Sequence, residues 1–174
     1  MAGAIATAKA LGIRNETIKK ALAKFQPLEY RLELVGKFKG VIFYNDVLST
    51  TPESTIEAIR ALKDKNLQTL IVGGFDRGLD YTKLVREIKK SKIRTVICWP
   101  HTGETIAREL KRIKADNKIV RVKNMKETVA AVYKYTKPGE AVALSPAASS
   151  YDFYTDYRAK GAEYKKLAKQ YAKT

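Results

Sequence analysis

Six short apolar runs alternate with longer amphipathic stretches, and this rhythm constrains the fold of the chain more than any other feature. The runs are Leu32–Val35, Val41–Tyr44, Thr69–Val72, Thr95–Cys98, Ile119–Val122 and Ala141–Leu144. Helical patterns lie between them at Pro52–Lys63, Tyr81–Lys90, Thr102–Ile113 and Lys126–Tyr135, and a last helix is expected from about Asp152 to Ala172. Continuously apolar strands are buried on both faces, which requires helices on both sides of a parallel sheet. Strands alternating with helices of about 10–15 residues read as βαβ units. The expected fold is α/β, a Rossmann-like, mostly parallel sheet flanked by helices. Thr51-Pro52-Glu53 illustrates the helix starts: a hydroxyl cap, proline in the first turn and an acid near the positive helix end.

The first thirty residues follow a different pattern. Ala2–Leu11 predicts an Ala-rich helix stopped by Gly12. Asn15 is expected to cap a second helix, Glu16–Phe25, with Ile18, Leu22 and Phe25 on one face and Pro27 ending it. The apolar face of this pair, with Ile5, Leu11, Ile18 and Leu22, is too small to form a core and calls for a partner surface. The expected boundary falls at Pro27–Arg31, giving a helical leader over 1–30 and an α/β unit over 31–174.

Composition excludes several classes of function. No apolar run approaches the roughly 20 residues needed to span a bilayer, and the N-terminus lacks a secretory signal pattern. One His and one Cys exclude a His/Cys zinc site and an internal disulfide, and Cys98, at the end of an apolar run, reads as a buried small hydrophobe. A reducing cytoplasm fits this usage. Net charge is +16, from 34 Lys and Arg against 18 Asp and Glu. Such an excess attracts anionic ligands. The lysines, however, are spread over Lys19–Lys24, Lys83–Lys92, Lys111–Lys118 and Lys160–Lys173, without one stripe or interleaved aromatics, which argues against a dedicated nucleic-acid surface.

Three polar motifs each follow an apolar run. They are Tyr44-Asn45-Asp46-Val47-Leu48-Ser49-Thr50-Thr51-Pro52, Gly73-Gly74-Phe75-Asp76-Arg77-Gly78, and Ser145-Pro146-Ala147-Ala148-Ser149-Ser150. Open parallel sheets bind ligands beyond the carboxyl ends of their strands. In the first motif the hydroxyls of Ser49, Thr50 and Thr51 lead into a helix N-terminus, which favours a phosphate or carboxylate. Asp46 suits ribose hydroxyls, or else caps the turn. In the second, two glycines allow close backbone approach, and Arg77 presents a fork of donors for a carboxylate or phosphate. The third is small and hydroxyl-rich. Tyr151, Phe153, Tyr154 and Tyr157 follow it, either as walls of a site or as the buried stripe of the last helix. Ser150 is either a ligand residue or that helix's N-cap. No general base is placed to activate a serine. His101 reads as a loop residue at a helix start. No Gly-x-x-x-x-Gly-Lys-Ser/Thr loop occurs, so the chain has no P-loop for a triphosphate.

Taken together, these residues resemble the C-terminal domain of the Mur ligases, and within that family the D-glutamate-adding branch. Ala2–Gly12 and Ile18–Phe25 resemble the last helices of the family's central ATP-binding domain. Tyr30-Arg31-Leu32-Glu33 resembles its inter-domain His-Arg-x-Glu segment. Phe43–Ile59, Gly73–Tyr81 and Leu144–Tyr157 resemble the later motifs, in order and at family-like spacing. The resemblance implies an ATP-dependent acid–amino-acid ligase of peptidoglycan synthesis, using UDP-N-acetylmuramoyl-L-alanine, D-glutamate, ATP and Mg²⁺. The C-terminal domain closes over the site, while an acyl phosphate forms and the amine of D-glutamate attacks it. By position, Thr50, Arg77, Ser150 and Tyr157 would hold D-glutamate, and Arg31 and Asp46 would contact the nucleotide. Asn45, Ser49 and Thr51 are secondary candidates.

The chain departs from the family pattern at several points. Leu48 stands where the family carries a lysine and Val47 where it carries a serine, which removes a cation expected near the amino acid. Tyr30 replaces a histidine, Arg77 a frequent lysine, and Lys160-Gly161 stands for Arg-Gly. No Asp-Asn-Pro-Arg motif of the diaminopimelate- or lysine-adding branch occurs. The P-loop, the Mg²⁺ ligands and the UDP-binding domain are not on these 174 residues, so no catalytic residue and no metal ligand is expected here. A fragment or split subunit, inactive alone, is the expectation. The alternatives are a stand-alone ligand-binding module, a basic nucleic-acid binder, or a related ligase with another acceptor, as in folylpolyglutamate or cyanophycin ligases.

Overall fold

A mixed six-stranded sheet in the order β1-β2-β6-β3-β4-β5 carries the molecule. The computed structural model describes residues 2–25, 28–151 and 153–173. The strands are β1 (Glu33–Phe38), β2 (Val41–Asn45), β3 (Leu67–Gly74), β4 (Thr95–His101), β5 (Lys118–Arg121) and β6 (Ala141–Leu144). The helices are α1 (Ala2–Ala10), α2 (Asn15–Ala23), α3 (Pro52–Ala61), α4 (Thr82–Lys90), α5 (Thr102–Arg112), α6 (Met125–Tyr135) and α7 (Tyr157–Tyr171), with a single 3-10 turn at Lys63–Lys65.

Five strands, β2 to β6, are mutually parallel, as their apolar character requires, and all eight residues of β3 are buried. The first strand is the exception that makes the sheet mostly, and not wholly, parallel, as expected. It pairs antiparallel with β2 through a bulge between Leu34 and Gly36. Its connection is the two-residue turn Lys39-Gly40, with φ of +47° and +82°. Positive φ at both central residues is the geometry of a tight hairpin, and two residues cannot make a parallel crossover.

Helices cover both faces. On one side Ile56 and Ile59 of α3, Leu84, Val85 and Ile88 of α4, and Ile106 and Leu110 of α5 pack on Leu70, Val72 and Val96. On the other, Met125, Val129 and Val132 of α6 and Tyr164 and Ala168 of α7 pack on Phe43, Ile71, Ile97 and Leu144. Successive residues of β3 thus face opposite cores, the period-two consequence of a strand.

Two helix starts and one helix end differ from expectation. Arg14, not Asn15, occupies the N-cap of α2 and makes no side-chain cap bond, so Asn15 opens the helix itself. The second helix stops before Phe25, and Pro27 lies outside the described residues. The last helix begins at Tyr157 rather than near Asp152, which is itself outside the described residues. Asp156 is its cap, accepting the Ala159 N–H at 2.8 Å, and this leaves Ser150 free of that role. Thr51 does cap α3 as expected, in a reciprocal box with Ser54 and with Pro52 in the first turn.

Candidate functional site

The strand order decides the site. In the sequence β6 comes last, yet in the sheet it lies between β2 and β3. The three polar motifs follow β2, β6 and β3, so they stand side by side at one edge. It is also where the chain order of neighbouring strands switches, the place where α/β sheets open a ligand crevice.

Hydrogen bonds tie the motifs together. The Arg77 guanidinium donates to the Thr50 carbonyl at 2.5 Å, bridging the motifs after β3 and β2. The Gly73 N–H donates to the Pro146 carbonyl at 2.8 Å, and the Phe75 N–H to the Ser149 carbonyl at 3.0 Å, joining the motifs after β3 and β6. Gly74 makes the second contact possible: at its φ of +146°, a Cβ would lie 2.4 Å from the Ser149 oxygen. Ser145 donates to Asp46 at 2.7 Å, closing the third side.

Asp46 is the hub of this edge. It is 0 % exposed, and its carboxylate accepts from the Leu32 N–H at 3.0 Å, Ser49 at 2.5 Å and Ser145 at 2.7 Å. Burial pushes its pKa above the ordinary value, and these hydrogen bonds pull it back. With both oxygens engaged inside the protein, Asp46 presents no free face to a ribose in this conformation. Its reach to the surface runs through Ser49, whose Oγ accepts from Arg31 at 3.2 Å. Arg31 is exposed and lies between Tyr30 and Leu32, two non-glycine residues at φ +66° and +45°. Each such conformation costs on the order of 1–2 kcal/mol, and such outliers cluster where a side chain must be aimed. The Leu48 N–H, donating to the Tyr30 carbonyl, and the Leu32 N–H, donating to Asp46, hold them there.

The other candidates separate by what their polar atoms do. Asn45 is buried, bonded to the Gly161 carbonyl and the Val47 N–H. Ser49 links Arg31 to Asp46, and Thr51 caps α3. These three secondary candidates build the edge and face inward. Thr50 and Tyr157 are half-buried, and Arg77 is exposed. Ser150 is 4 % exposed, with its Oγ buried and without a protein partner. A buried hydroxyl left unpaired costs about 1–3 kcal/mol and calls for a missing partner. Tyr157 meets Tyr30 edge-on at 5.8 Å, so the substituted Tyr30 packs beside a candidate ligand residue.

Cys98 is buried and its thiol is pushed up to about 12 by burial, as a packed hydrophobe requires. The end of β4 and the cap of α5 fall at His101, with φ +58°. Among the described residues no group of three His, Cys, Asp or Glu side chains is placed to hold a metal ion. No described helix is long and apolar enough to cross a membrane.

A family model described as "Mur ligase, glutamate ligase domain" matches residues 30–148. The chain belongs to this family. Relatives named UDP-N-acetylmuramoylalanine--D-glutamate ligase share its sequence. The protein from Caldanaerobacter subterraneus subsp. tengcongensis is 34% identical over 156 residues, 89% of this chain and 34% of the relative. The one from Porphyromonas gingivalis is 36% identical over 169 residues, 95% and 36%. The chain thus spans about a third of the length of these relatives. Among solved structures, MurC from Thermotoga maritima superposes with a TM-score of 0.66 at 14% identity, over 92% of this chain and 34% of that one. A MurF ligase from the same organism, in complex with ADP, gives 0.65 at 15%, over 97% and 36%. At that identity the two structures establish the shared Mur ligase fold.

Sequence reasoning missed two parts of this ligase domain. The Ser145–Asp46–Ser49–Arg31 chain joins residues up to 114 positions apart, and no local pattern announces such a pairing. The burial of Lys160 had a visible signal, since Lys160, Tyr164 and Ala168 recur at helical spacing.

Proposed function

We propose that this chain is the amino-acid-binding part of an ATP-dependent D-glutamate ligase of peptidoglycan synthesis, acting on UDP-N-acetylmuramoyl-L-alanine in the cytoplasm. The observation that carries this reading is the Arg77–Thr50 bond between two motifs at the sheet edge, together with a buried, partnerless Ser150 hydroxyl in the third motif, which the Phe75–Ser149 bond ties to the Arg77 segment. A dicarboxylate amino acid needs a fixed cation and uncommitted hydrogen-bonding groups within one small space. Arg77 would hold a carboxylate, Thr50 and Ser150 would bond the same ligand, and Tyr157 would wall it in. Arg31, held by Ser49 and through it by Asp46, would reach the nucleotide of a partner domain.

ATP would supply the phosphoryl group that turns the substrate carboxylate into an acyl phosphate, with ADP released, and the amine would then displace phosphate to form the amide. The residues here bind and orient that amine and exclude water around it. Lacking a P-loop and a metal cluster among its described residues, this chain would hydrolyse no ATP unaided, and phosphate release by the pure chain would disprove that. Leu48 and Val47 leave the acceptor open to competition from L-glutamate. Calorimetric titration of the chain with D-Glu, L-Glu and ADP tests the reading. D-Glu is expected to bind, and Arg77→Ala to weaken it by tenfold or more, on the order expected when a charged hydrogen bond is lost. Equal binding of D-Glu by wild type and Arg77→Ala, with the fold retained, would overturn it.

A further inference from the structure

One ionisable side chain is buried beneath this edge and has been given no role. Lys160 is 1 % exposed. Its Nζ donates to the Gly73 carbonyl at 3.3 Å and lies 4.7 Å from the centre of the Trp99 ring. We propose that Lys160 is a positioning residue for the ligand site, its amine locking the first glycine of the β3 motif to the helix that begins at Tyr157. The inference rests on the site assignment above and goes beyond it.

The geometry gives Lys160 this reach. It lies one helical turn after Tyr157, so moving Lys160 moves that ring. Gly73 is four residues before Arg77 and cannot yield sideways: a Cβ there would lie 2.8 Å from the Trp99 oxygen and 3.0 Å from Gly103 Cα. The N–H of Gly73 is already held by Pro146 of the third motif. Lys160 takes its carbonyl. One residue thereby joins β3, the loop after β6 and α7, and three of the four groups proposed to grip the ligand, Arg77, Ser150 and Tyr157, branch from those elements. Next along the helix, Gly161 lets Tyr30 and Asn45 approach, since a Cβ there would lie 2.6 Å from the Tyr30 ring. The linker that aims Arg31 therefore also rests on this turn of α7.

Among the described residues, no carboxylate is paired with the amine. On the surrounding elements, Asp46 is taken by Leu32, Ser49 and Ser145. Asp156 caps its own helix, and Glu163 accepts from Tyr154. Asp76 accepts the Gly78 N–H, and Arg77 turns to Thr50. His101 stands at the end of β4, against Phe153. Tyr164, on the same helix, is itself buried. Burial alone brings the amine down from 10.5 to about 7. The protonated form is a charged donor that also gains from the Trp99 π face; the neutral form keeps only a weak donor. The clamp on Gly73 is therefore strong below pH 7 and loosens above it.

The experiment is amide and side-chain NMR of the 174-residue chain across pH 5.5 to 9 (about 1.5 to 2 units either side of the midpoint), with Lys160→Met and Lys160→Arg. In wild type, the Gly73, Gly74 and Arg77 signals are expected to titrate together near pH 7. Lys160→Met should abolish that titration, shift the Arg77 and Tyr157 signals, and weaken D-Glu by about tenfold. Lys160→Arg should restore binding without the titration. A folded Lys160→Met with unmoved Arg77 and Tyr157 signals would overturn the proposal and leave Lys160 a packing residue. Should Lys160→Met fail to fold, the wild-type titration and the arginine variant decide, and absence of the titration counts against it. If wild type does not bind D-Glu, the site assignment fails, while the coupling among Gly73, Arg77 and Tyr157 still tests Lys160.

Discussion

The helical pair at the N-terminus and the α/β unit that follows both carry regularly spaced apolar residues, yet they end up physically unlike. Helix α2 has no buried residue. Leu11 and Phe25, beside the pair, are 74% and 55% exposed, and Ala4, Ile5, Ile13, Ile18 and Leu22 line an apolar groove of about 270 Å³. In the α/β unit Phe43, Leu70, Ile71, Leu84 and Ile97 are completely buried. Helices of nine residues are marginal by propensity alone, and two of them cannot enclose a core. A sheet covered on both faces can. Stability is therefore concentrated in the unit that carries the site, while the leader keeps an apolar face uncovered.

The sharpest way to break that contrast is to remove the same kind of contact from each region. Phe43→Ala, beneath α6 and α7, should cost about 3–5 kcal/mol, whereas Leu22→Ala in the leader should cost less than about 1 kcal/mol. Urea unfolding measures both, and equal losses would mean that the leader belongs to the core. A middle-sized effect is expected at the ligand edge. Ser145→Ala removes a donor from buried Asp46 and should cost about 1–3 kcal/mol. Because the site depends on that hub, Ser145→Ala should also weaken ligand binding, which an equal loss elsewhere in the core would not do. Within the α/β unit the smallest effect is expected at the α3 cap, where Thr51→Ala should lower stability by about 1 kcal/mol and leave the edge network intact.

A pH series sharpens the comparison in another way. Lys160 has a folded pKa below its unfolded one, so between about 7 and 10.5 the unfolded chain binds more protons than the folded one. Stability contributed by this site is complete above the upper value and is lost as pH falls through the lower. The wild-type advantage over a folded Lys160→Met should therefore grow as pH rises through that window. The leader holds no comparable buried group among its described residues, so variants there should show no such slope.

Much of the α/β unit was legible in the sequence. All six strands fall on their apolar runs, within a few residues at their ends; for central β3 and β6 the reason is that a strand buried on both faces has to be apolar throughout, whereas the edge strands β1 and β5 are only partly buried. The Thr51-Pro52 start of α3 was readable for the same local reason, since the cap closes within four residues. Asn15 was misplaced by one position because a capping residue type does not force a cap when the preceding residue is already extended. The start of α7 was misplaced because the tyrosines before it pack against Trp99 without being helical.

The site was legible only in part. The sequence by itself determined the composition of the three motifs and their place after strands, since both follow from local chain chemistry. It could not determine that β6 inserts between β2 and β3, that Arg77 reaches back to Thr50, or that Asp46 turns inward while Arg31 turns outward. These depend on contacts between residues far apart in the chain, and such contacts exist only once the sheet has closed and two cores have formed around it. Lys160 stands between the two classes: its helical spacing with Tyr164 and Ala168 puts it on their face of α7, but only tertiary packing removes the water from its amine.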